Sequence, residues 1–149
     1  MKISRMVSKI SFLIFTALLL GESAAYVYVL PFDNIQNDPA LDWISSGLSD
    51  MTREEIKNIY GVRVKSREDL EVIMNDRSLM LKQPRGSRNL LVLGKYSRQL
   101  DKINVTIQIV DVANWEELGK SNISEVKSSN SLSQFSFLSE ISTLLSAIC

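Results

Sequence analysis

Five apolar residues, Tyr26-Val27-Tyr28-Val29-Leu30, stand in an unbroken run closed by Pro31. The run is too short, and too rich in β-branched and aromatic residues, for a helix of its own. It predicts a strand buried on both faces. Turn-forming Asp33, Asn34 and Asn37 follow, then Asp38-Pro39, a helix cap ahead of a proline whose missing N–H costs nothing at the first helical position. From there the period becomes helical: Leu41, Ile44, Leu48, Met51, Ile56 and Ile59 share one face, and Gly61 stops a helix predicted over Pro39–Tyr60.

Val62-Arg63-Val64-Lys65 alternates apolar and polar and predicts a short second strand. Ser66 with Asp69 three residues on is close to a capping box, and Leu70, Ile73 and Met74 give the buried face of a second helix over Arg67–Asn75. Leu79 to Arg88 carries no period, and Gln83-Pro84-Arg85-Gly86-Ser87 predicts a loop. Leu90–Tyr96 and Ile103–Val112 are the third and fourth strands, joined by a turn at Gln99–Lys102 into an antiparallel hairpin. In the fourth, Ile103, Val105, Ile107 and Ile109 face one way and Asn104, Thr106 and Gln108 the other, so one side of the sheet there is open to water or thinly covered. Asn114-Trp115-Glu116 turns into a weaker fifth strand, Leu118–Ser124. After a polar linker, Lys127–Asn130, a final helix over Leu132–Ile148 carries Leu132, Phe135, Leu138, Ile141, Leu145 and Ile148 on one stripe. Serines fill most of its opposite face, and serine is a mediocre helix former, so packing must hold this helix in place. The pattern defines an α/β fold: one domain, residues 26–149, with a mixed sheet of about five strands and three helices.

The first 25 residues read as a secretory signal peptide. Lys2, Arg5 and Lys9 make a positive start, Ile10–Leu20 is apolar apart from Ser11 and Thr16, and Ser23-Ala24-Ala25 supplies small residues for cleavage before Tyr26. An uncleaved anchor is the alternative, but the apolar run is short against the ~20 residues needed to span a bilayer. Gly21-Glu22-Ser23 lacks the cysteine of a lipoprotein signal, so the expected location is periplasmic or secreted.

Charge narrows the function classes. The leader takes three of the 17 basic and one of the 17 acidic residues, leaving a small negative excess of interspersed charges. Nucleic-acid binding calls for a basic stripe, which is absent. Lys82, Arg85 and Arg88 cluster around Pro84 and Gly86; this reads as a solvated loop ahead of an anion site. The sequence contains no histidine, so the commonest general base and metal ligand are both missing, and the single cysteine, Cys149, can form neither an internal disulfide nor a cysteine zinc site. Neighbouring Lys65-Ser66 and Lys120-Ser121 do not make natural dyads, because adjacent strand residues point to opposite faces. Gly94-Lys95 lacks the other residues of a phosphate-binding loop. No catalytic residue, cofactor or metal is expected.

Two places remain as candidates. Asp33, Asn34 and Asp38 lie past the carboxyl end of the first strand, where α/β sheets place ligands, and with Asp111 they offer oxygens to magnesium or calcium. Against this, Asp33 and Asn34 suit local Asx-turns and Asp38 suits a cap, which is the favoured reading. Trp43 lies off the main helical stripe, with Gly47 one turn on: a shallow platform for a partner protein, unless the fifth strand or final helix of the same domain fills it.

The stretch Val29–Thr52, VLPFDNIQNDPALDWISSGLSDMT, resembles the opening signature of bacterial TolB amino-terminal-like domains, a group related to CsgG, LpoB and FlgO. The resemblance extends through Ser66–Ile73, Leu90–Arg98 and Ile103–Val112. It implies the same α/β module and a place in the bacterial cell envelope, with no set of active residues to transfer. The expectation is therefore an exported, non-catalytic interaction or scaffold domain with an envelope protein partner and no membrane span in the mature chain, an oligomer being possible. A small-ligand or cation sensor built on the loop after the first strand, and an oligomeric secretion component resembling CsgG, are the alternatives.

Overall fold

The computed structural model describes residues 24–100, 102–126 and 136–148. One mixed sheet organises them. Strand β1 (Ala25–Val29) lies between β3 (Val62–Lys65) and β4 (Arg88–Gln99), parallel to both. The two-residue β2 (Asp33–Asn34) also pairs in parallel with β4, further along it. Strands β5 (Lys102–Asp111) and β6 (Glu117–Val126) continue the sheet antiparallel, in the order β3-β1-β4-β5-β6. Helix α1 (Asp42–Lys57) connects β1 to β3, and α2 (Arg67–Asn75) connects β3 to β4. A single-turn α3 (Ser78–Leu81) follows α2, and α4 (Ser136–Ile148) ends the described chain.

The unbroken apolar run of β1 has its cause in this layering. Ala25, Val27 and Val29 enter a core with Ile44, Leu48 and Ile56 of α1 and Ile141 and Leu145 of α4. Tyr26 and Tyr28 point the other way, against Leu70 and Ile73 of α2. Both faces are covered here and over the neighbouring part of β4, where Leu90 and Val92 enter the first core and Leu91 the second. On β5, Ile103, Val105, Ile107 and Ile109 are buried in the first core, while Asn104, Thr106 and Gln108 on the reverse face stay half-exposed, as the alternation predicts.

Ser66 and Asp69 form the complete capping box, and α2 has the bounds the pattern predicts. The first helix is shorter than expected. A 3-10 turn, Pro39–Leu41, capped by Asp38 onto the Ala40 N–H, precedes α1; after Lys57 the chain tightens through Asn58 and Ile59 into Gly61, whose φ is 77°.

The loop expected over Leu79–Arg88 is corrected at both ends. Asp76, the C-cap of α2, accepts from both the Ser78 N–H and hydroxyl, and α3 follows directly from Ser78 where the pattern predicts a loop. β4 then opens at Arg88, which takes that residue out of the supposed Lys82–Arg85–Arg88 cluster. Its guanidinium binds Asp111 at 3.4 Å and the Ile148 carbonyl at 3.0 Å. At the β5–β6 turn, with no glycine available, Trp115 itself takes a left-handed φ of 63°; Asp111 accepts from Ala113, and Asn114 from Glu116. Of the final helix, Leu138, Ile141, Leu145 and Ile148 pack as predicted. Leu132, Phe135, the linker at 127–130, Cys149 and the leader through Ser23 lie outside the described residues.

Candidate interaction face at the carboxyl edge of the sheet

The loop after β1 is fastened at every few residues. Phe32 is buried and its ring lies against the bare backbone of Gly94, where a Cβ would stand 2.4 Å from three ring atoms. The Phe32 carbonyl accepts from Ser45 Oγ of α1 at 2.6 Å. Asn34 makes the predicted Asx-turn, accepting from the Gln36 N–H, and its amide donates to the Asp38 carbonyl (2.8 Å) and to Asp42 (3.0 Å). Gln36 extends the β4 ladder with its side chain, donating to the Arg98 carbonyl and accepting from the Arg98 N–H. The buried Tyr96 hydroxyl donates to the Leu41 carbonyl at 2.9 Å, pinning the 3-10 turn to the sheet. Burial, with the nearby Asp42 carboxylate adding, raises the Tyr96 pKa and keeps that hydroxyl a donor.

On this fastened frame two large apolar side chains face water: Trp43, 55% exposed, and Ile35, 58% exposed. A Cβ built at Gly47 meets nothing within 4 Å, so the backbone one turn from Trp43 is open. Neither β6 nor α4 fills the platform. Residues 33 to 50 hold four aspartates and no basic residue; Asp42, next to Trp43 in the chain, and Asp50, paired with Arg53 at 2.6 Å, are both exposed.

The oxygen site proposed as an alternative does not assemble. Asp33 pairs opposite Lys95 of β4 and Asp111 opposite Leu90, about 16 Å apart along the strand at ~3.3 Å per residue. Because β5 runs antiparallel, Asp111 reaches the opposite edge of the sheet. Asn34 and Asp38 are engaged locally, and among the described residues no group of three or more His, Cys, Asp or Glu comes together. Asp33 instead borders an open groove of about 600 Å³, with Leu30, Leu70 and Met74 as its apolar wall and Arg67 and Glu71, paired at 3.1 Å, on its rim. Among the described residues no helix is long and apolar enough to cross a membrane.

Ile35 was not singled out from the sequence, although an isoleucine inside an Asn/Asp-rich loop is the signal that could have found it. Tyr96 and Gln36 gave none, since their partners are fixed only by the parallel pairing of β2 with β4.

The class is thus a single mixed-sheet α/β domain with a preformed, exposed apolar face at the carboxyl edge of its parallel strands. No family model matches the sequence, and no curated protein matches it. Among solved structures, the chain is similar to lipoprotein GNA1162 from Neisseria meningitidis, at 20% identity over 83% of this chain and 92% of that one, with a TM-score of 0.48. It is also similar to TolB from Acinetobacter baumannii, at 17% identity over 72% of this chain but 24% of TolB, TM-score 0.48. The LpoB C-terminal domain from Salmonella enterica is similar at 11% identity over 72% of this chain and 87% of that domain, TM-score 0.47. At these identities the likeness is one of fold only.

Proposed function

We propose that this is an exported, non-catalytic envelope domain that binds a partner protein through the Trp43 face. The observation that carries the proposal is the exposed Trp43 beside the open backbone of Gly47, held on a frame fastened by five hydrogen bonds of four side chains, Asn34, Gln36, Ser45 and Tyr96. Tryptophan is a favoured anchor of protein interfaces, and a preordered face loses little entropy on binding. The acidic segment that carries Trp43 sets the partner's chemistry: an apolar side chain flanked by lysine or arginine. The envelope location rests on the leader-like first 25 residues and on the resemblance to TolB amino-terminal-like domains.

The test compares wild type with Trp43→Ala and Gly47→Ala as baits in envelope extract, with Trp115→Ala as the control at the other end of the sheet. The expected result is one partner retained by wild type and Trp115→Ala and lost by the other two, more weakly bound as salt rises. Identical recoveries from all four proteins refute the proposal. A small-ligand reading is supported by the groove bordered by Asp33, Arg67 and Glu71, which lies at the carboxyl edge where open α/β sheets bind ligands. Saturable protection of Arg67 and Glu71 amides by a small molecule from the same extract would favour it over the partner face. An assembly resembling CsgG predicts a ring, and a monomeric particle by size excludes it.

A further inference from the structure

Strand β1 starts ahead of the leader boundary that the sequence pattern suggests. Ala25 is already a full ladder residue, paired with Val62 of β3 on one side and Arg88 of β4 on the other. Its N–H donates to the Gly61 carbonyl at 2.9 Å, and the Ala24 carbonyl accepts from the Arg88 N–H at 3.1 Å. Both alanines are buried, Ala25 in the core of α1 and α4, Ala24 in the core beneath α2. Arg88 also binds Asp111 and the Ile148 carbonyl, so the start of β1, the end of β5 and the end of α4 meet at one residue.

The sequence offers two places that satisfy the small-residue requirement of leader cleavage. Gly21 and Ser23 suit a cut before Ala24, and Ser23 and Ala25 suit a cut before Tyr26. Their consequences differ. The later cut removes both alanines, strips the Gly61 carbonyl and the Arg88 N–H of these partners, and leaves a charged amine on Tyr26, a buried residue between β3 and β4. Buried backbone groups need partners, and a buried charge without one is unfavourable. The earlier cut keeps each of these bonds; either cut leaves its charged amine on a buried residue, Ala24 or Tyr26, so the bonds and not the charge separate the two.

We infer that the leader is removed between Ser23 and Ala24, so that the exported chain begins at Ala24 with β1 complete. A signal peptidase hydrolyses the Ser23–Ala24 peptide bond with one water, leaving a carboxylate on Ser23 of the leader and an ammonium on Ala24. The inference rests on the export reading above and is separable from it.

Full-length protein is produced in a secreting bacterial host, and its N-terminus is read by intact mass and N-terminal sequencing. The expected start is Ala24. Gly21 is the third residue before this cut and the fifth before the later one, and it leaves with the leader either way, so Gly21→Leu does not alter the exported domain. That variant is expected to lose most of the Ala24 product, giving uncleaved precursor or a Tyr26 product with a lower unfolding temperature. A wild-type start at Tyr26, with Gly21→Leu processed in the same way, overturns the inference and leaves export standing. Retention of Met1 in wild type overturns the export reading, and the cut with it.

Discussion

Gly94→Ala should be among the most damaging single-methyl additions in the protein, and the reason can be isolated. A Cβ at Gly94 comes within 2.4 Å of the ring of Phe32, which is 2% exposed and closes the core where β1 turns toward α1. The φ of Gly94 is not left-handed, so alanine brings no backbone strain of its own. Removing a glycine from the unfolded chain would by itself stabilise by about 0.4–1 kcal/mol. The ring must therefore move, and overpacking of a filled core typically costs about 1–3 kcal/mol. Phe32→Ala alone should cost about 3–5 kcal/mol, which sets a ceiling for what displacing the ring can do. The decisive quantity is the coupling. With Phe32 already alanine, Gly94→Ala has nothing to strike and should be neutral or slightly stabilising, giving an interaction energy above ~1 kcal/mol between the two sites. Urea denaturation of wild type, both single variants and the double variant measures it. Equal effects of Gly94→Ala in both backgrounds would show that the ring does not rest on that backbone, and the account of this part of the core would be wrong.

Leu100, 90% exposed with φ 56° at the β4–β5 turn, is a branched residue in a conformation that suits glycine, and Leu100→Gly should stabilise by about 1 kcal/mol in the same urea assay. A loss of stability would mean that the leucine makes contacts that outweigh its strain. Trp43→Ala should change stability by less than ~0.5 kcal/mol while Leu48→Ala, fully inside the α1 core, costs about 2–5 kcal/mol; comparable losses would make Trp43 interior packing. Burial, with the Asp69 carboxylate adding, pushes the Tyr28 hydroxyl up to about 12, where it donates to Asn89 at 3.1 Å. An unfolded tyrosine ionises near pH 10, so the unfolded state loses its proton first and stability falls between about pH 10 and 12, by on the order of 2 kcal/mol. Tyr28→Phe, read against wild type across that range, should lack this part of the fall; parallel curves would show that Tyr28 titrates like a surface tyrosine.

What could be read from the sequence, and what could not, divides by the range of the interaction. Period and caps are local, and they located β1, β3, α2, the β4–β5 hairpin and the covered face of β5 from residues that act within a turn of one another. Asp76 shows the limit of the same signals: an aspartate that closes one helix also holds Ser78, the first residue of the next, and the sequence pattern does not distinguish the two roles. Trp115 shows another, since a turn without glycine still closes when Asp111 and Asn114 hold the backbone around it. The candidate face was half legible. The position of Trp43 off the apolar stripe follows from helical spacing alone, but its rigidity depends on Tyr96 and Gln36, whose partners lie 55 and 62 residues away in the chain. The supposed oxygen site failed for the converse reason. Composition brought Asp33 and Asp111 together, and strand direction, which composition does not encode, carried them to opposite edges. The resemblance in VLPF and LLVLGKY gains a physical meaning in the same way. Phe32 of the first segment and Gly94 of the second are complementary halves of one contact, so either residue changed alone leaves a cavity or a clash. That coupling ties two separated segments into one packing unit, and it is why the Phe32–Gly94 cycle is the sharpest available test of the fold.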